Sequence, residues 1–404
     1  MKRMLLVVLC LIACSLPALA DGVLDDLTYM GSAGPDTPIG FYRQENGLFV
    51  IGYNAFLDDS RGWVIILDAK TDERQEIALP APLRALCPWG DDGALILQGK
   101  NGESQLYLMD HSNGEARYLC DIPLIAADAA ALGEDHLLIG GSMLRIEGDS
   151  CAAGVIYSKY GTELRQFVRD LASASGINAV AVTADGIAMA GWTEKEGITK
   201  GLFMRYTGSI VEEEEITRAE YRLAQESIFE NPQGSAAFMG ITAYRDGILA
   251  VGSASPLGDG FLANSNAQMV YFDNPGSIQW ANAWGNAADD FLMDALPFPG
   301  TDSWVAVGQA GVIPEEQSDV TGPRSILILP GNNLGQAAYP WDISLNFNSS
   351  LHALLLSGDE IWVLGEAEFT ENWRAEEKGG GGNGDIFIGR FSKILMNELR
   401  RISN

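Results

Sequence analysis

Two pairs of adjacent carboxylates, Asp58-Asp59 and Asp289-Asp290, stand out among the residues able to carry chemistry in this 404-residue chain, together with the dipeptide Trp373-Arg374. Calcium takes six to eight oxygens, usually from several carboxylates and backbone carbonyls. The Asp pairs are therefore Ca²⁺ candidates, but no D-x-D-x-D-G loop accompanies them, and solvated or turn-capping Asp is the default reading. Paired carboxylates also serve as acid and base at a glycosidic bond, yet a chain with 54 Asp and Glu contains such pairs by chance. The three histidines, His111, His136 and His352, are too few and too scattered for a His-based metal site. No Gly-x-Ser-x-Gly elbow and no Cys-His motif offers an activated nucleophile. The Gly-rich stretch EEKGGGGNGD (376–385) lacks the following Lys-Ser/Thr and the strand-to-helix context of a phosphate loop. No catalytic residue and no cofactor can be assigned on these grounds.

An aromatic ring beside a cation suits contact with a carbohydrate, a peptide or a protein. What such residues can do depends on the elements that hold them. Composition bounds those elements. Hydrophobic residues make up 47% of the chain, ample for a core. The formal net charge of −28 keeps the protein dispersed and repels nucleic acid and anionic membrane.

The chain opens MKRMLLVVLCLIACSLPALADG. Lys2 and Arg3 precede an apolar run, Met4 to Ala13, too short to span a bilayer, and Ala18-Leu19-Ala20 is a small-residue cleavage site. This predicts a signal peptide over 1–20 and export to the periplasm or the exterior, with one domain over 21–404. Leu11-Ile12-Ala13-Cys14 allows a second reading, a lipobox with anchoring through Cys14. No later stretch has the length and hydropathy of a transmembrane helix. Export leaves Cys87, Cys120 and Cys151, hence at most one disulfide in an oxidising compartment.

One string recurs at intervals of 41 to 61 residues: a polar or Gly turn, four or five apolar residues, then Gly. Its copies end at Gly52, Gly99, Gly140, Gly191, Gly252, Gly308 and Gly365. A second apolar string follows each, as in GWVIILD from Gly62 and GLFMRYTG from Gly201, and an outer segment follows that, as in SIQWANAW (277–284). Runs of four to seven residues rich in Val, Ile, Leu and aromatics, bounded by Gly, Asn and Asp, are strands with turns between them. A four-strand repeat of about 52 residues is one propeller blade. The expected fold is all-β: a seven-bladed β-propeller of four-stranded antiparallel blades.

The segment GSIQWANAWGNAADDFLMDALPFPGTDSWVAVG (276–308) resembles the repeat of bacterial secreted β-propellers of the delta-60 and SBBP type. Gly276, Trp280, Gly285, Asp290 and the apolar run closing at Gly308 match it. The resemblance implies the fold and no particular activity. Segment 27–42 repeats part of the pattern, with Met30-Gly31 standing where Trp284-Gly285 stands. This predicts that the N-terminus supplies the outer strand of the last blade, in competition with ILMNELRRIS (394–403). Both ends should pack in one blade.

Within a blade, the turns joining strands one to two and three to four lie on one face, and the remaining loops lie on the other. The latter are longer in this sequence, and long loops on a rigid scaffold carry function more often than short turns. The binding residues expected on that face are Tyr53, Phe56, Trp192, Phe261, Trp284, Trp341, Phe369, Trp373 and Arg374. Cys120, ending an outer strand, and Cys151, beginning a third strand, fall near the same face and are candidates for a disulfide. Cys87 reads as a buried inner-strand residue. Segment 210–229, rich in helix formers, predicts a short helix between blades four and five, with Glu212–Glu215 as a solvated run. Segment 310–325 reads as a long polar loop. Three functions fit: an exported, non-enzymatic module that binds a protein or glycan, a glycan-active hydrolase or lyase using carboxylates near the central channel, or a structural subunit packed by its blades into a larger envelope assembly.

Overall fold

The computed structural model describes residues 23–402 apart from 33–34, 57–59, 102, 147, 172, 214–215, 233, 257–264, 275, 286–288, 299–300, 312–323, 338–340, 344–347 and 369–384. Strand β1 (Leu24–Met30) leads into blade one, formed by β2 (Asp36–Arg43), β3 (Phe49–Ala55), β4 (Arg61–Asp68) and β5 (Glu73–Ala78). Blade two is β6 (Leu83–Trp89), β7 (Asp92–Gln98), β8 (Ser104–Asp110) and β9 (Ala116–Ile122). Blade three is β10 (Ile125–Leu132), β11 (His136–Leu144), β12 (Ser150–Ser158) and β13 (Glu163–Arg169). Blade four is β14 (Ser175–Thr183), β15 (Gly186–Lys195), β16 (Ile198–Glu213) and β17 (Ile216–Phe229). Blade five is β18 (Gly234–Tyr244), β19 (Gly247–Pro256), β20 (Asn266–Phe272) and β21 (Ile278–Trp284). Blade six is β22 (Phe291–Pro297), β23 (Trp304–Gly311), β24 (Arg324–Gly331) and β25 (Trp341–Ile343). Blade seven is β26 (Asn348–Ser357), β27 (Glu360–Glu368) and β28 (Asp385–Phe391), followed by helix α1 (Lys393–Ile402).

Each sheet is antiparallel and runs in chain order, except that the outer strand of blade seven is β1, paired to β28. The inner strands touch their neighbours in sequence, and β26 returns to β2, which closes the ring. Seven buried apolar clusters lie between successive blades. The N-terminal closure expected from the Met30-Gly31 spacing is the one observed: Met30 pairs with Ile386 and is fully buried. The competing C-terminal segment is a helix. It seats Leu395, Met396 and Leu399 in the cluster that holds Val23 and Leu24, so both ends meet in blade seven.

Segment 210–229 is not a helix. Strands β16 and β17 extend as a hairpin about 20 Å beyond the rest of blade four, on the short-turn face. In β17 the period is two: Ala219 and Tyr221 are buried while Arg218, Glu220 and Arg222 are exposed. Tyr221 meets Phe167 of blade three edge-on at 6.1 Å, and Arg165 donates to the Ala219 and Tyr221 carbonyls. Packing on a neighbouring blade overrides helix propensity here. Glu212, near the tip, is exposed and lies 3.8 Å from His136 Nε2. The second-to-third-strand loop of blade four is also shorter than expected, a two-residue turn at Glu196-Gly197 with both residues at positive φ.

Every inner strand carries one β-bulge at the same place. The skipped residues are Ile39, Arg84, Ala127, Asn178, Met239, Met293 and His352. A bulge adds one residue that pairs with nothing on the neighbouring strand. It also accounts for the repeat glycine in blades four, five and six. Gly191, Gly252 and Gly308 lie opposite the residue preceding the bulge, and a Cβ there would collide with the carbonyls of Gly176, Ala237 and Phe291. The residue after the bulge faces the next inner strand and is small in five blades: Gly40, Ala85, Ala179, Gly240 and Ala353. A Cβ at Gly240 would strike the Met293 carbonyl oxygen. In blades three and six that position is Asp128 and Asp294.

Candidate functional site

Four of the seven bulge residues, Ile39, Arg84, Ala127 and Asn178, line a cavity of about 350 Å³ at the mouth of the central channel, on the long-loop face. Leu83, Ile125, Ala126 and Ile177 from the same inner strands complete its floor, and Asn54, Ser142, Gly176 and Trp192 its walls. The bulge places these side chains here. Along an inner strand alternate residues point to the preceding and the following blade, and the extra residue is turned toward the axis. The buried Leu83 and Leu86 lie against Gly52 of blade one, while Arg84, between buried Leu83 and Ala85, is accessible.

Among the described residues Arg84 is the one charged side chain lining the cavity. Its Nη2 donates to Gln98 Oε1 at 2.8 Å, and among the described residues no carboxylate lies within ion-pair distance of it. Asn178 donates to the Phe238 carbonyl oxygen at 2.7 Å, which fixes its amide between blades four and five. Asn54 clamps Leu83: Nδ2 donates to the Leu83 carbonyl and Oδ1 accepts from the Leu83 amide, at 2.8 and 2.7 Å. Trp192 lies against Gly176, where a Cβ would sit 3.0 Å from Nε1 and 3.3 Å from Cε2. Glycine at 176 lets the indole lie close over the inner strand while its other side borders the cavity.

Two carboxylates lie in the channel wall. Asp128 accepts the amides of Ala129 and, across the blade boundary, Val180, at 2.8 and 2.9 Å. Asp294 accepts the amides of Ala295 and Leu354 at 2.7 and 2.8 Å. Desolvation pushes Asp128 up to about 6 and Asp294 up to about 7, against the downward pull of those amides, and the charge of Asp128 raises Asp294 further. Both oxygens of each group hold backbone N–H, which gives these residues a stapling role between inner strands. Farther round the mouth, Ser350 Oγ lies 3.0 Å from His352 Nε2 and donates to Glu366 Oε1 at 3.1 Å. That carboxylate also lies on the Nε2 side of the ring, at 3.5 Å. A catalytic triad would set serine and carboxylate on opposite ring nitrogens.

Of the residues expected to bind, Trp192 is at the cavity. Phe56 is on the same face and 51% exposed, above blade one. Tyr53 is not a surface residue: β3 runs on to Ala55, and Tyr53 is 2% exposed with its ring stacked on Trp63. Trp284 ends β21 half-buried against Trp304, ring centres 6.1 Å apart. Trp341 opens β25, its backbone paired with Ile328. Phe261, Phe369, Trp373 and Arg374 lie outside the described residues, as do Asp58-Asp59, the leader with its Cys14 and Ala18-Leu19-Ala20 readings, and most of 310–325. The Cys120–Cys151 disulfide is not formed; Cys87, Cys120 and Cys151 are free thiols. Cys120 neighbours Tyr157 and Glu163, at the other end of the strand that Cys151 begins, and six residues of strand span about 20 Å. Cys87 is buried on the inner strand, as expected.

Among the described residues no three His, Cys, Asp or Glu gather where a metal could be held. Asp289 and Asp290 serve as loop caps: Asp290 accepts from Gly311 N at 2.9 Å and Asp289 from Ser265 N at 3.3 Å. Asp36, five residues after Gly31 as Asp290 is after Gly285, accepts from Ser32 in the same way, and burial raises its pKa to about 6. Among the described residues no helix is long and apolar enough to cross a membrane.

No family model and no curated protein matches the chain. Solved structures with similar architecture include Sqt1 from Chaetomium thermophilum, at 12% identity and TM-score 0.48, covering 91% of this chain and 99% of that one. The Dos1 propeller gives 11% identity and TM-score 0.49, with 87% and 77% covered. The β-propeller domain of the Trilobed protease from Pyrococcus furiosus gives 12% and 0.43, with 83% and 91% covered. Such distant likenesses say nothing of what this chain binds; the ring of seven blades rests on its own strand pairing.

Proposed function

We propose that this protein is an exported, non-enzymatic binding module whose ligand enters the channel mouth on the long-loop face. The observation that carries the reading is the cavity itself: a recess bordered by Trp192 and Arg84 on a rigid ring of inner strands. A volume of about 350 Å³ is near the lower end of the ~300–1,000 Å³ typical of small-molecule sites. The occupant is therefore compact, such as the end of a glycan or of a peptide. The leader sequence supports action outside the cytoplasm. The test is binding of the full chain to glycan and peptide arrays. Trp192→Ala should weaken binding at least tenfold, and Phe56→Ala, at the rim, should leave it unchanged. Binding indifferent to Trp192→Ala would sink the reading.

A catalytic reading draws on Asp128 and Asp294, two channel carboxylates with pKa values near neutrality. Both are engaged by backbone amides, which favours the binding module. Turnover of a bound glycan that disappears in Asp294→Asn would reverse that preference.

A further inference from the structure

We propose that the ligand is an acidic sugar, a uronic acid unit whose carboxylate meets Arg84 and whose ring stacks on Trp192. The inference rests on the reading of the cavity as a binding site and adds the chemical class. Among the described residues Arg84 is the only charged group in the lining, and its guanidinium spends one hydrogen bond on a neutral glutamine. Acidic residues outnumber basic ones 54 to 26, yet none described is paired with this one. A guanidinium set in a recess with a free edge is a two-pronged receptor for a carboxylate. Its hydrogen bond to Gln98 orients one edge of the guanidinium and leaves the other open to the recess.

The remaining lining fits a sugar better than a peptide. Trp192 presents a broad aromatic surface, suited to the C–H face of a pyranose. Asn178 and Ser142 stand nearby as short polar groups for hydroxyls. A peptide would seek backbone pairing along an inner-strand edge. In blade four the edge amide of Val180 is already taken by Asp128, and in blade seven that of Leu354 by Asp294. Asn54 spends one N–H and one lone pair on Leu83, which fixes its amide plane at the cavity wall.

The experiment is titration calorimetry of the full chain against trimers of glucuronate, galacturonate and mannuronate. The same trimers with carboxyls reduced to hydroxymethyl groups, and a hexapeptide with a free α-carboxylate, complete the panel. At least one acidic trimer should bind. Its reduced form should bind at least tenfold more weakly, about 1.4 kcal/mol. Arg84→Gln should remove that difference, while Arg117→Gln on outer strand β9 should leave it unchanged. Circular dichroism confirms that each variant is folded, and Arg84→Lys should restore part of the discrimination.

Equal binding of acidic and reduced trimers, or an unchanged Arg84→Gln, overturns the acidic-sugar inference. If Trp192→Ala still abolishes binding in that case, the cavity reading stands. Failure of every trimer to bind also overturns the inference, and peptide binding that depends on Arg84 would put a chain-terminal carboxylate in the sugar's place. Trimer binding that neither Arg84→Gln nor Trp192→Ala affects removes both the inference and the cavity.

Discussion

Asp294 makes native stability depend on pH in a direction opposite to that of most carboxylates. In the unfolded chain it titrates near the ordinary 3.8, and in the channel near 7. Between those values the folded state keeps a proton that the unfolded state has released. Stability is therefore greatest at low pH and falls as pH rises through the window, by about 1.4 kcal/mol per unit, levelling off above about 7. From pH 5 to pH 8 this one group removes about 2.7 kcal/mol. Asp294→Asn cannot ionise, so that slope should vanish. The variant also gives up one accepted amide, a cost of about 1–3 kcal/mol, but that cost is nearly constant with pH. Urea unfolding followed by tryptophan fluorescence at pH 5, 6, 7 and 8 isolates the effect. The difference in unfolding free energy, variant minus parent, should shift by about 2.7 kcal/mol toward the variant between pH 5 and 8. Parallel curves would refute the assignment of a desolvated, proton-holding carboxyl. Because the charge of Asp128 helps raise Asp294, Asp128→Asn should move the window to lower pH.

Asn54→Ala should cost about 2–4 kcal/mol, because it strands both the amide and the carbonyl of Leu83 between blades one and two; thermal unfolding measures it, and a change below 1 kcal/mol would mean that water replaces the side chain. Tyr221→Ala should free the blade-four hairpin from Phe167, so that trypsin cuts first at Arg218 or Arg222 while the urea midpoint of the whole chain stays fixed. A lowered midpoint would show instead that the hairpin is part of the cooperative core.

The periodic strands were legible because each repeat ends in glycine, and in blades four, five and six the structure gives that glycine its cause: it sits across from the bulge of the inner strand. The cavity was missed for a related reason. Long loops drew attention to the rim, whereas Arg84 and Asn178 project from the inner strands through a one-residue break in alternation. A signal was present in the short inner-strand tetrads LRAL (83–86), INAV (177–180), FMGI (238–241), LMDA (292–295) and LHAL (351–354), each with one variable residue before a small one or Asp. Tyr53 was misplaced because its strand continues three residues past the repeat glycine. The 210–229 hairpin was misread because Glu, Arg, Leu and Ala are helix formers by composition. The buried face that decides the matter, Ala219 and Tyr221, exists only against blade three.

Borrowing a strand from the opposite end of the chain has a kinetic price. Met30 must wait for Ile386, about 350 residues later, and closing a loop of that length costs roughly 5 kcal/mol of chain entropy. Six sheets can assemble from neighbouring sequence as they emerge, but the seventh can shut only once β28 has emerged. A chain stopped short of β28 would leave β1 without its partner strand and the ring open.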